Sequence, residues 1–153
     1  MRNMPLRIAI ACLAALPLPV ALVARAEKAD MQPEGLAKVA THIVVGEVRA
    51  VYSREERDGD WIYTRHLAEV AASAIEKGEG PKAGELVYVR YWTRAWRGGP
   101  TVPPSTAGHR GLPTAGEKLR IYLARNAYDG FTRENADGGF NVVGANGFQR
   151  LGP

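Results

Sequence analysis

The stretch His42-Ile-Val-Val-Gly-Glu-Val-Arg-Ala-Val-Tyr52 decides the fold class. It is rich in β-branched residues, and from Val44 onward it alternates Val44, Gly46, Val48, Ala50 and Tyr52 against Val45, Glu47, Arg49 and Val51. Side chains two apart share one face of a strand, so the pattern predicts a single long strand. Gly46 inside it marks a bend or bulge of the kind that lets a small sheet curve.

On the amino-terminal side, Glu34 to Ala40 has the length of about two helical turns, with Leu36 and Val39 spaced to share a face. On the other side, charged residues run from Arg54 to Asp60, and Asp58-Gly59 is the hairpin dipeptide, because a type I′ turn needs positive φ at both central positions. Trp61 to Ile75 pulls two ways. Its Ala-rich half suits a helix, while Trp61-Ile-Tyr-Thr64 is strand-like; a strand throughout, pairing back onto the first, is the reading adopted. Glu76 to Gly84 holds three glycines and a proline and ends that strand. Glu85 to Trp92 is a third strand, with Leu86, Tyr88, Arg90 and Trp92 on one face and Val87, Val89 and Tyr91 on the other. Lys118 to Arg125 is a fourth, with Leu119, Ile121 and Leu123 facing one way. Turn signals at Asp137-Gly138 and Asn146-Gly147 separate short strands around Tyr128–Phe131, Phe140–Val143 and Phe148–Leu151. The expected architecture is mainly β: a small antiparallel barrel or strongly curved sheet with one short N-terminal helix. A long Gly/Pro-rich loop, Thr93 to Gly116, interrupts it with five glycines and four prolines. Connections of that length without structure of their own tend to be functional or mobile.

The chain has 153 residues, 46% hydrophobic and 24% charged, which fits one folded domain and excludes a disordered chain. Arg2 and Arg7 precede an apolar run from Ile8 to Val23 and then Ala24-Arg25-Ala26, the arrangement of a secretory signal peptide over residues 1–26. The run contains Pro17 and Pro19 and falls short of the ~20 apolar residues a spanning helix needs. No membrane span is therefore expected after cleavage, and the destination is the medium, the periplasm or the cell envelope. Residues 27–153 form the single domain. Cleavage removes three arginines, so the formal charge drops from +4 to +1. That leaves too little positive charge for non-specific nucleic-acid binding, which depends on many phosphate contacts. Cleavage also removes Cys12, the only cysteine, so no disulfide is expected in an oxidising compartment.

The order of a short helix, Ala40-Thr-His-Ile-Val-Val-Gly-Glu-Val48, an alternating strand ending in Glu76-Lys-Gly78, and Pro113-Thr-Ala-Gly-Glu117 leading into Ile121-Tyr-Leu123 resembles a secreted bacterial module. That module is similar to the netrin-like and tissue-inhibitor-of-metalloproteinases domains. The resemblance runs from about Glu34 to Gly147 and implies an OB-like β-barrel. The metalloproteinase inhibitors ligate zinc through an amino-terminal cysteine, whereas this mature chain is expected to begin at Glu27 without one. The resemblance therefore carries the fold and not the inhibitory mechanism, and Gly108-His-Arg-Gly111 in the long loop is outside its pattern.

Candidate chemistry concentrates where the third strand meets the loop. Tyr91, Trp92, Arg94, Trp96 and Arg97, with His109 and Arg110 further on, combine flat rings and guanidinium groups that can stack on sugars or on extended peptides. The expected function is a non-enzymatic binding module for a cell-envelope polysaccharide or another exported protein, with no cofactor. The rival is a small hydrolase or metal-dependent enzyme using His109 with His42 or His66. No two of these histidines have the spacing that fixes two ligands on one element, so no metal site is assigned. There is no Gly-x-Ser-x-Gly elbow, and Ser53, Ser73 and Ser105 have no base beside them in sequence. The acidic residues Glu55, Glu56, Asp58 and Asp60 read as a solvated hairpin.

Overall fold

The computed structural model describes residues 30–103, 108–125 and 139–152. The expected signal peptide over residues 1–26, the expected mature start at Glu27, Ser105, the strand expected at Tyr128–Phe131 and the turn expected at Asp137-Gly138 lie outside those residues.

The alternation around Gly46 becomes β1 (His42–Asp58), which turns directly into β2 (Trp61–Lys77). The Ala-rich half of β2 is strand, because every residue that would favour a helix there pairs with β1 on one side or β3 (Leu86–Trp96) on the other. Tertiary pairing overrides intrinsic propensity. The two-residue loop is Gly59-Asp60, one residue later than the expected Asp58-Gly59, since Asp58 pairs with Trp61. Gly59 supplies the left-handed φ of +59° that opens the turn. β4 (Lys118–Arg125), β5 (Phe140–Val142) and β6 (Phe148–Arg150) complete the sheet.

The strands close on themselves. Following hydrogen bonds from β1 leads to β2, β3, β5, β4 and back to β1, with β6 pairing with β4 beside β5, on the edge away from β1. Five strands in a ring cannot all alternate in direction, so one pairing must be parallel. It is β3 with β5, at Val89 to Phe140 and Arg90 to Asn141. The expectation of a wholly antiparallel sheet is corrected on this point. Curvature comes from register shifts in β1 between Ile43 and Val44, Val45 and Gly46, and Val48 and Ala50. Gly46 sits at one of them as the sequence implied: a Cβ there would meet the Ala71 carbonyl oxygen at 2.5 Å and Val70 at 2.7 Å.

The ring encloses the main core, built from the alternating faces read above: Val44, Val48, Val70, Val89, Ile121 and Leu123, among others. A second cluster lies outside it, where α1 (Pro33–Val39) lays Leu36 and the following Ala40 against Ile43, Tyr122 and Val143. Leu36 and Ala40 are four apart and share the inward face. Val39, expected beside Leu36, points to solvent and is 48% exposed. The segment before α1 is fixed by Asn146, whose Oδ1 accepts the Met31 N–H at 2.9 Å and whose Nδ2 donates to the Met31 carbonyl at 3.0 Å.

At about 3.3 Å per residue, β1 and β2 are each roughly 55 Å long, far longer than β4, β5 or β6. Beyond Val51 and Ala68 the two strands leave the core and run on with the end of β3 as an arm, whose faces form the site.

Candidate functional site

Strand alternation divides the arm. On its outer face β3 carries Arg90, Trp92, Arg94 and Trp96, and the register places Trp61 opposite Trp96 and Tyr63 opposite Arg94. β3 extends to Trp96, so Thr93 to Trp96, expected to start the long loop, are strand, and the connection begins at Arg97. The rings touch in pairs. Trp61 and Trp96 meet edge to face at 5.1 Å, and Tyr63 and Trp92 lie 6.1 Å apart. The Arg94 guanidinium lies 4.4 Å above the Trp61 ring and donates to the Tyr63 hydroxyl at 3.0 Å. Arg94 is thus a fixed plate between two rings rather than a free cation, a geometry in which cation–π attraction is worth about 0.5–2 kcal/mol. Trp96 is held from below as well: its Nε1–H donates to Gly99 O at 2.9 Å, and Gly98 lies so close that a Cβ would collide with the indole.

The residues grouped by sequence divide between these layers. Trp92, Arg94 and Trp96 are together on the outer face, half-buried and outside both core clusters. Arg97 is exposed beside them, its backbone N–H bonded to Asp60 O at 2.8 Å. Tyr91 points the other way into the core, 3% exposed, because it is one residue out of phase with Trp92. Burial pushes its phenol up to about 12. Arg110 turns away and pairs with Asp30 at 2.8 Å. Trp61 and Tyr63 complete the outer face; their sequence pattern marks a strand but not a site. The β1–β2 hairpin sets them against Asp58 and Glu56; their places opposite Trp96 and Arg94 come from the β2–β3 register, which that hairpin does not fix.

The histidines do separate jobs. His109 is 3% exposed; its Nδ1 lies 3.1 Å from the Trp92 N–H and 2.9 Å from the Trp92 carbonyl, and its Nε2 lies 3.1 Å from Val142 O. Both ring nitrogens therefore face main-chain groups, and the imidazole ties the long connection to β3 and β5. Gly108 makes this approach possible: its φ is +91°, and a Cβ would meet Trp92 O at 2.5 Å. His42 is buried at the other end, with Nε2 2.9 Å from Glu79 O and Nδ1 2.9 Å from Thr41 Oγ1. Among the described residues, no three His, Cys, Asp or Glu side chains converge as a metal site would require.

His66 lies on the inner face of the arm, stacked on Tyr91 at 4.7 Å and 12°. Its Nδ1 is 2.7 Å from Ser53 Oγ and its Nε2 is 3.3 Å from Thr93 Oγ1. Three adjacent strands each supply one group. Ser53 has no base near it in sequence, but the hairpin register sets it directly opposite His66. The pair bridges β1 and β2, and Thr93 continues the link to β3.

Burial holds the His66 pKa below its ordinary value of 6.5. The unfolded chain then takes up a proton on acidification before the folded protein does, so stability present above pH 6.5 declines as the pH falls towards the folded-state pKa. Urea unfolding midpoints at pH 7.5 and pH 5.5 should show a larger acid loss in the parent than in His66→Gln. Equal losses would show that His66 does not contribute to the pH dependence.

On the outer face, Glu56 accepts from Arg65 Nε at 3.0 Å, and that guanidinium holds the Glu56 carboxyl below the usual carboxylate range. No helix among the described residues is long and apolar enough to cross a membrane. Comparisons with protein-family models, with curated proteins and with solved structures give no match.

Proposed function

We propose that this chain is a secreted, non-enzymatic binding module on an OB-like barrel, and that it contacts a cell-envelope polysaccharide or another exported protein through the outer face of its arm. The observation that carries this reading is the set of touching rings, Trp61, Tyr63, Trp92 and Trp96, built around Arg94 outside both cores. Domain stability does not call for three tryptophans and a tyrosine on the outer face of a strand arm, and Trp, Tyr and Arg are the side chains that dominate binding hot spots. The closed ring of strands supports the barrel reading. The alternative, a hydrolase or metal enzyme centred on His109, draws no support from geometry in which both imidazole nitrogens face main-chain groups.

The test is capture from the source organism's envelope fraction by the immobilised protein, with Trp92→Ala/Trp96→Ala as the comparison. A specific polysaccharide or protein retained by the parent should fall by at least about tenfold in the variant, the loss expected for one or two hot-spot residues. Trp92 also rests on Gly108 and His109, so Trp96→Ala alone is run beside it, with thermal midpoints for both. Identical recoveries from three folded proteins would refute the reading.

A further inference from the structure

A second concave site opens at the far end of β3, away from the tryptophans. A cavity of about 370 Å³ lies between the β2–β3 connection, the first residues of β3 and the β4–β5 pair. Its volume is at the small end of the range that small-molecule pockets occupy, about 300–1,000 Å³. Leu86 and Tyr88 line it and are large apolar side chains left half exposed, at 51% and 48%. Phe140 forms the facing wall and Gly80-Pro81 the rim.

Arg125 supplies the charge. Its backbone N–H is fixed by Thr41 Oγ1 at 2.8 Å, and its guanidinium lies 5.7 Å from the centre of the Phe140 ring. Gly80, with φ +111°, leaves the guanidinium its space, since a Cβ there would press on Nη1 at 3.2 Å. Among the described residues the Arg125 guanidinium makes no ion pair and no hydrogen bond; its neighbour is an aromatic face. Most of the other described arginines with a fixed position are committed: Arg120 to Glu76, Arg150 to Glu117, Arg65 to Glu56 and Arg110 to Asp30. Glu85, the carboxylate on the cavity wall, makes no ion pair with Arg125 among the described residues; its Oε2 accepts the Lys82 N–H at 3.0 Å within its own turn.

A guanidinium laid against a ring keeps its hydrogen-bonding edge available, and that edge matches the two oxygens of a carboxylate. Beside it stand two exposed apolar side chains and an aromatic wall. We propose that this cavity binds an apolar carboxylate: a carboxylate joined by a short spacer to an aromatic or branched aliphatic group, with Arg125 taking the charge and Leu86, Tyr88 and Phe140 taking the apolar end. Such a ligand can come as a free small acid or as the free C-terminus of a polypeptide ending in a hydrophobic residue. The site is independent of the tryptophan face and stands or falls without it.

Calorimetric titration of the exported protein with 3-phenylpropionate, and with an acetylated tripeptide ending in phenylalanine, tests the proposal against the matching neutral amides. Saturable one-to-one binding is expected for at least one carboxylate, weakened about tenfold or more both by amidation and by Arg125→Gln. Arg125 is exposed, so its replacement should leave the thermal midpoint unchanged. Trp96→Ala, outside the cavity, should bind as the parent does. Tighter binding of the peptide would identify a chain terminus as the source, and tighter binding of the free acid a small molecule. No saturable binding by either carboxylate, equal binding of acid and amide, or full affinity in Arg125→Gln would overturn the assignment.

Discussion

Ile121→Ala is expected to lower the free energy of unfolding by about 4 kcal/mol, within the 2–5 kcal/mol seen when a buried Ile or Leu is cut to Ala. Ile121 is fully buried at the middle of β4, opposite Val44 of β1 on one side and Phe148 of β6 on the other. It therefore lies where the ring closes, and the neighbouring strands cannot move inward to fill the void without breaking backbone pairs on both edges. A domain of this size has about 5–15 kcal/mol in total, so the variant should lose much of its urea resistance. Val39→Ala, on the exposed side of α1, should change stability by less than about 0.5 kcal/mol and serves as the reference. Chemical denaturation followed by far-ultraviolet circular dichroism measures both. A loss below 1 kcal/mol for Ile121→Ala would mean that the interior can collapse around the site.

Adding one methyl group at Gly46 should cost nearly as much. Gly46→Ala is expected to destabilise by about 3 kcal/mol, at the upper end of the cost of overpacking a tight site. The obstruction is main chain: the new Cβ would lie 2.5 Å from the Ala71 carbonyl oxygen and 3.1 Å from its carbon. A side chain could rotate away, but this carbonyl belongs to the β1–β2 pairing. Relief requires the strands to separate at the register shift that curves β1 into the ring. Ala50→Gly, further along the same strand, removes a methyl instead of adding one and controls for the change in backbone freedom. If Gly46→Ala unfolds at the parent's urea midpoint, the close approach at this bulge is not what the fold depends on.

Both predictions rest on features that were legible in the sequence to different degrees. The alternation from Val44 to Tyr52, and of Leu119, Ile121 and Leu123, shows which faces are buried without any knowledge of partners, because a period of two has only one structural meaning. Gly46 stood out as a bend for the same reason. The helix was legible from its length and from Leu36, but the inward partner of Leu36 was Ala40, four residues on, and not Val39. The end of β3 was misjudged because Arg94 and Trp96 look like loop residues when their neighbours are unknown. Pairing with β2 keeps them in the sheet.

The candidate site was half legible. Trp92, Arg94 and Trp96 were grouped by nearness in the chain; that they share one face follows from β3 running on to Trp96. Tyr91 differs in parity and went inward, and the same rule applied strictly would have removed it. Parity says nothing about His109 and Arg110, which lie on an irregular segment.

The sequence by itself determined the mainly β class, the inner and outer faces of the long strands, and the aromatic and basic character of one face. These depend on local periodicity, and local periodicity is written in the order of side chains. The tertiary structure alone decided that five strands close into a ring with one parallel pair, that Ser53 meets His66, that His109 faces inward to bind main chain, and that Arg125 lies beside Phe140. Each of these depends on which distant segments lie side by side. That is set by the total free energy of packing the whole chain, and no single stretch of residues carries it.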